Sequence, residues 1–231
     1  MSDPRVVQAL DWLKKKSSKT VRDGMARYAI PNDHALGVRM ADIQKLGKQL
    51  GRDHKLAHEL WDTGVYEARM LCAYVDDPGE ITPARMDSQA RDFDNWAICD
   101  TLCFALWVRS PHALGRIRRW ATRKQEFVRR AAFALLASVA LKDKDAADAE
   151  FLRGLKLVEK AAGDERNFVK KAVNWALRAI GGRNVALNRA AVALSRRLAA
   201  AKDPAPRWIG TDALRQLASA PVQKRLRKRT R

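Results

Sequence analysis

Trp96 and Asp100 stand four residues apart. On a helix that spacing stacks their side chains one turn apart on the same face. A carboxylate beside an indole suits one chemistry in particular. It can steady a transient positive charge, or activate the water that attacks it. The structural alternative is an ion pair in which a neighbouring arginine such as Arg130 neutralises Asp100. The residues alone leave these two readings open. Further along the chain come Arg129 and Arg130, Lys170 and Lys171, and then Trp175 and Arg178.

These residues fall in register because one phrase is written twice. Phe127-Val128-Arg129-Arg130-Ala131-Ala132 returns 41 residues later as Phe168-Val169-Lys170-Lys171-Ala172-Val173. A period near 40 residues with helix-forming composition points to stacked helix pairs of the HEAT or armadillo kind. Weaker copies begin at Tyr66, Phe93 and Trp208. Three residues after each leading aromatic lie Arg69, Trp96, Arg130, Lys171 and Thr211. Seven residues after it lie Ala73, Asp100, Ala134, Trp175 and Arg215. Positions three and seven share a helix face, so all five copies are expected to project these residues from one corresponding surface. The recurrence of Arg129-Arg130 and Lys170-Lys171 in this register argues for more than ordinary solvated charge.

The elements that must carry this register read as helix throughout. Thr82-Pro83, Ser110-Pro111 and Asp203-Pro204 each join an N-cap residue to a proline suited to the first helical position. Asp53 and Asp164 can cap the helices that follow them, and Gly51, Gly64 and Gly181-Gly182 mark helix ends. The pattern predicts helices near 4–16, 18–29, 39–50, 53–62, 65–75, 83–90, 93–108, 111–122, 125–141, 146–162, 165–180, 184–200 and 205–219, with no sheet. The expected fold is all-α, a right-handed α-solenoid of HEAT-like repeats. It forms a single domain over 1–220, followed by a basic, disordered tail over 221–231.

Charge narrows the partner. The chain carries 45 Lys and Arg against 26 Asp and Glu, a net of +19. Residues 222–231 hold six of the cations and no acid, which leaves +13 on the remainder. A polyanion, nucleic acid first, is the partner such a field attracts. No apolar run is long enough to span a membrane, and the first residues lack the apolar stretch of a signal peptide. Three cysteines, Cys72, Cys99 and Cys103, fit a reducing cytosol better than a disulfide framework. Cys99 and Cys103 read as small core residues and not as metal ligands. His34, His54, His58 and His112 read as surface or capping residues. No metal site is expected.

The set resembles the AlkD-like DNA alkylation repair family of HEAT-like DNA glycosylases over most of residues 20–220. The likeness rests on Trp96 and Asp100, on Arg130-Ala131-Ala132-Phe133, and on Lys171-Ala172-Val173-Asn174-Trp175-Ala176-Leu177-Arg178, in that order. Tyr28 corresponds to an N-terminal aromatic contact of the family, and Leu36-Gly37-Val38 to the turn into its first full repeat. The resemblance implies a monofunctional glycosylase that hydrolyses the N-glycosidic bond of cationic N3- or N7-alkylated purines in double-stranded DNA. Asp100, Trp96 and Trp175 would be catalytic, with the tryptophans flanking the nucleotide. Arg130, Lys171 and Arg178, with Arg129, Lys170 and Tyr28, would contact DNA. No cofactor is implied, and a monomer in the bacterial cytosol or nucleoid is expected. The chain departs from the family at Ala97, where some members have a second tryptophan, and at Cys99, where valine is common. Relatives that bind DNA without excision provide the alternative: a HEAT-repeat protein that recognises bent or damaged duplex.

Overall fold

The computed structural model describes residues 3–229. Among these the fold is all-α, with fourteen α-helices, two short 3-10 turns and no strand. The chain gathers into two compact units, Met1–His112 and Ala113–Arg231. The first holds α1 (Pro4–Lys15), α2 (Lys19–Gly24), a 3-10 turn (Met25–Tyr28), α3 (Met40–Leu50), α4 (His54–Asp62), α5 (Tyr66–Val75), α6 (Pro83–Arg91), α7 (Trp96–Ala105) and a second 3-10 turn (Trp107–Arg109). The other holds α8 (Ala113–Trp120), α9 (Glu126–Lys142), α10 (Asp148–Ala161), α11 (Asn167–Gly181), α12 (Val185–Ala199), α13 (Pro204–Leu217) and α14 (Ala220–Arg229).

Within each unit the packing has the rhythm of a helical repeat. Alternate helices stack, α3 on α5 and α5 on α7, then α9 on α11 and α11 on α13. Several also pack on a sequence neighbour, as α5 does on α4, α9 on α8 and α13 on α12. The copies of the repeated phrase begin in or just before α5, α7, α9, α11 and α13, which are every second helix. The leading aromatics themselves meet, with the rings of Phe127 and Phe168 5.4 Å apart. In α11, Val169, Ala172, Val173, Ala176, Leu177 and Ile180 form a stripe at helical spacing, and all are buried. Each large aliphatic side chain among them contributes about 2 kcal/mol by leaving water. The stripe leaves Lys171, Trp175 and Arg178 on the uncovered side.

The basic C-terminal segment corrects the sequence reading. As far as Arg229 it is helix α14, not a disordered tail. Val222 and Leu226 lie one turn apart and are buried, 9% and 1% exposed. Gln223 Nε2 donates to the Leu217 carbonyl at 2.7 Å and to Asn188 Oδ1 at 3.0 Å. Two apolar residues and one amide give the helix a seam along which to dock.

One buried carboxylate organises the first unit. Glu67 in α5 is fully buried, and it accepts the backbone N–H groups of Leu36 (2.9 Å), Gly37 (2.7 Å) and Val38 (3.2 Å). Among the described residues no cation pairs with Glu67, so the amides of the turn at 36–38 carry the compensation that a buried charge requires. Gly37 has φ +80, and a Cβ at that residue would lie 2.2 Å from the Ser18 carbonyl oxygen. Only glycine fits such a conformation and such an approach. Glu67→Gln is expected to lower unfolding stability by roughly 2–3 kcal/mol, because an amide cannot accept all three donors. Gly37→Ala is expected to be at least as damaging. Chemical denaturation checks both, and unchanged midpoints would contradict the assignment.

Candidate nucleic-acid interface

In the first unit the site begins with a cap. Asn95 is 1% exposed, and its Oδ1 accepts the N–H groups of Ala97 (2.9 Å) and Ile98 (3.0 Å). It fixes the start of α7 at Trp96, three residues later than the sequence pattern suggested. Ala97, Ile98, Cys99, Leu102 and Cys103 turn inward from there. Cys99 and Cys103 are core residues, as expected. Trp96 and Asp100 are left together on the half-buried side, one turn apart. The Trp96 indole N–H donates to the Tyr28 carbonyl at 2.8 Å. Tyr28 closes the 3-10 turn, next to Ala29 in the left-handed region (φ 53), and its own ring is 65% exposed. Tyr28 and Trp96, 68 residues apart in the chain, thus meet, a contact that nothing in the sequence announced.

In the second unit the site is a cleft on α11. Trp175 and Arg178 line it, with Arg183 and Lys144, Gln216 of α13 and Arg225 of α14, around a space of about 720 Å3. Arg178 Nη1 donates to Gln216 Oε1 at 2.7 Å and lies 3.8 Å from Asp212. Asn174 binds the same carboxylate at 2.7 Å. The α13 side chains therefore hold Arg178 at the cleft wall. Lys171 is exposed one turn before Trp175, and no carboxylate among the described residues pairs with it. Lys170 lies 5.4 Å over the ring of Trp208, a cation–π pair. A concave wall of cations and one indole suits phosphates and a stacked nucleotide.

A sequence model of DNA alkylation repair enzymes matches residues 9–217. The chain belongs to that family. No curated protein matches it. Among solved structures it is similar to a protein described as belonging to a new family related to the HEAT-like repeat DNA glycosylases, with affinity for branched DNA structures. The two share 18% identity at a TM-score of 0.72, with 85% of this chain and 83% of that one covered. Two designed armadillo repeat proteins align at 12% and 13% identity with TM-scores of 0.36 and 0.38. They cover 77% and 80% of this chain, and 92% and 84% of their own. The first likeness shows the fold, an all-α architecture of HEAT-like repeats.

In this member of the alkylation repair family the repeated register does not give one uniform surface. On α9 the positions matching Lys171 and Trp175 are Arg130 and Ala134, and both are buried, at 6% and 0% exposure. Arg130 Nη1 donates to the Phe168 carbonyl at 2.6 Å, and its guanidinium lies 5.9 Å from the Phe168 ring. It braces α9 against the start of α11. Arg129 pairs with buried Asp164 at 2.9 Å, and Arg166 holds the same carboxylate at 2.6 Å. Burial works against the charge of Asp164. Hydrogen bonds from Arg166 and the charges of Arg166 and Arg129 nonetheless hold its carboxyl below the usual range. Asp164 does not cap α11 as its place in the sequence suggested. It binds the N–H of Arg166 just ahead of that helix.

The sequence reading missed several roles. His54 and His58, expected on the surface or as caps, pack edge to face with centroids 4.5 Å apart. His54 Nδ1 lies 2.6 Å from Asp76. Burial pushes the Asp76 carboxyl up, against the pull of His54. Among the described residues no three acidic, histidine or cysteine side chains gather as metal ligands. No helix there is long and apolar enough to cross a membrane. Arg183 closes the end of α9 by donating to the carbonyls of Ala140 (2.8 Å), Asp143 (2.7 Å) and Ala146 (3.4 Å), and it lies 4.0 Å from the Phe151 ring. Its only sequence signal was a cation after Gly181-Gly182. Asn95, the residue that registers the Trp96–Asp100 pair, carried the general signature of an N-cap. Asn95→Ala is expected to cost about 1–2 kcal/mol in urea denaturation, and Asn95→Asp to recover most of it. An Asp variant as unstable as the Ala variant would contradict the cap.

Proposed function

We propose that this protein is a monofunctional DNA glycosylase that removes positively charged N3- or N7-alkylated purines from duplex DNA. The observation that carries the reading is the pairing on α7. Asp100 stands one turn beyond a tryptophan whose indole is anchored to the Tyr28 carbonyl, in a chain of the alkylation repair family. An N-alkylated purine already bears positive charge, so it departs as a neutral base. Breaking its bond to C1′ develops oxocarbenium character on the deoxyribose. The Asp100 carboxylate stabilises that charge or takes a proton from the incoming water. Water adds to C1′ and leaves an abasic sugar. No lysine nucleophile takes part, so the strand stays intact. Trp96 meets the cationic nucleotide through its aromatic face. Trp175, Lys171 and Arg178 provide contacts to DNA, and the net charge of +19 draws the duplex in.

The solved relative with affinity for branched DNA favours a second reading, a HEAT-repeat protein that binds distorted DNA without chemistry. Asp100→Asn separates the two. On methylated duplex the variant is expected to release free base at least about 100-fold more slowly than the natural chain, with duplex affinity within about twofold. An equal fall in binding would make Asp100 a structural residue. Unchanged release would remove it from the mechanism.

A further inference from the structure

Helix α14 lies beyond the residues that match the family, which end at 217. It is nevertheless joined to the α11 cleft. Its buried seam of Val222 and Leu226 docks it, and Gln223 ties it to Asn188 and to the end of α13. That docking brings Arg225 to the cleft wall beside Trp175 and Arg178. The Arg225 guanidinium reaches close to the α11 terminus. A Cβ added at Gly182 would lie 3.3 Å from its Nη2. Gly182, the residue that caps α11, therefore leaves the space this side chain occupies.

The cations of α14 have no local use. Lys224, Arg225, Arg227 and Lys228 are all exposed, and no carboxylate among the described residues pairs with any of them. Other cleft cations are engaged: Arg183 is spent on three carbonyls, and Arg178 shares Gln216 and Asp212. Asp148, the one acid of the cleft, is bound by Asn184 at 2.9 Å through both oxygens. The cleft thus presents an unpaired guanidinium next to an indole. A guanidinium without a carboxylate partner suits a phosphodiester, which it can bind through two parallel hydrogen bonds.

We infer that Arg225 forms a phosphate-binding site in the Trp175 cleft and takes a backbone phosphate of bound DNA, which makes α14 part of the DNA-binding surface. This rests on the DNA-binding reading above and adds a residue outside the family's matched region. Lys224, Arg227 and Lys228, which line a separate hollow of about 480 Å3 on the same helix, extend the cationic surface past the cleft.

The test is fluorescence anisotropy with full-length protein and a labelled, undamaged duplex across a salt series. Arg225→Gln is expected to weaken binding roughly three- to tenfold and to lower the slope of log affinity against log salt by about one. Arg196→Gln makes the same charge change on α12, away from the cleft, and is expected to leave the slope unchanged. Arg225→Lys is expected to keep most of the slope. Because Arg225 is exposed, thermal melting of each variant is expected to match the natural chain. If Arg225→Gln leaves both affinity and slope unchanged while the natural chain binds DNA, this inference fails and the proposed function stands. If Arg196→Gln weakens binding as much as Arg225→Gln, only net charge is at work and the site is overturned. If the natural chain binds no duplex at low salt, both readings fall together.

Discussion

A buried carboxylate met by three backbone amides holds the first unit in shape. Glu67 leaves α5 pointing inward, and the amides of Leu36, Gly37 and Val38 meet it there. Because the charge is fully buried, the turn has little freedom to move without losing those bonds. Gly37 packs on the Ser18 carbonyl at the start of α2, which leads directly into the 3-10 turn that ends at Tyr28. The Tyr28 carbonyl then receives the Trp96 indole. A single satisfied charge in the core therefore lies at one end of a chain of contacts whose other end is the Trp96–Asp100 pair.

The second unit reaches its surface by a different route. The apolar stripe of α11 must be buried, and burying it turns Lys171, Trp175 and Arg178 outward. The same phrase on α9 has another fate, because Arg130 to Ala140 are buried on every side of the helix. Arg130 is accommodated there because the Phe168 carbonyl and ring receive its guanidinium. Identical spacing thus gives an internal brace in one repeat and a solvent-facing cation in the next.

This contrast marks the limit of what the sequence discloses. Helices, their spacing and the all-α repeat class were legible because apolar periodicity and caps such as Thr82 act within a few residues; Thr82 Oγ1 accepts the Arg85 N–H at 3.2 Å. The Trp96–Asp100 pairing was legible because it needs only one helix. Arg130 was not, since its carbonyl partner lies 38 residues away. Helix α14 was hidden by its charge: five cations in its ten residues outweigh a seam of two apolar side chains four apart. The single predicted helix over 93–108 breaks because Leu106 leaves helical geometry (φ −120, ψ −68) before a 3-10 turn, a local bend that periodicity does not register.

Chemistry on cationic purines at the Trp96–Asp100 face, as proposed, is distinguished from DNA binding alone by what happens to the glycosidic bond. The most direct measurement is release of free base from methylated duplex by the natural protein, quantified chromatographically against spontaneous depurination. The expected result is 7-methylguanine or 3-methyladenine released well above the spontaneous rate, with abasic sites left in uncut strands. Tight duplex binding with release at the spontaneous rate would contradict it.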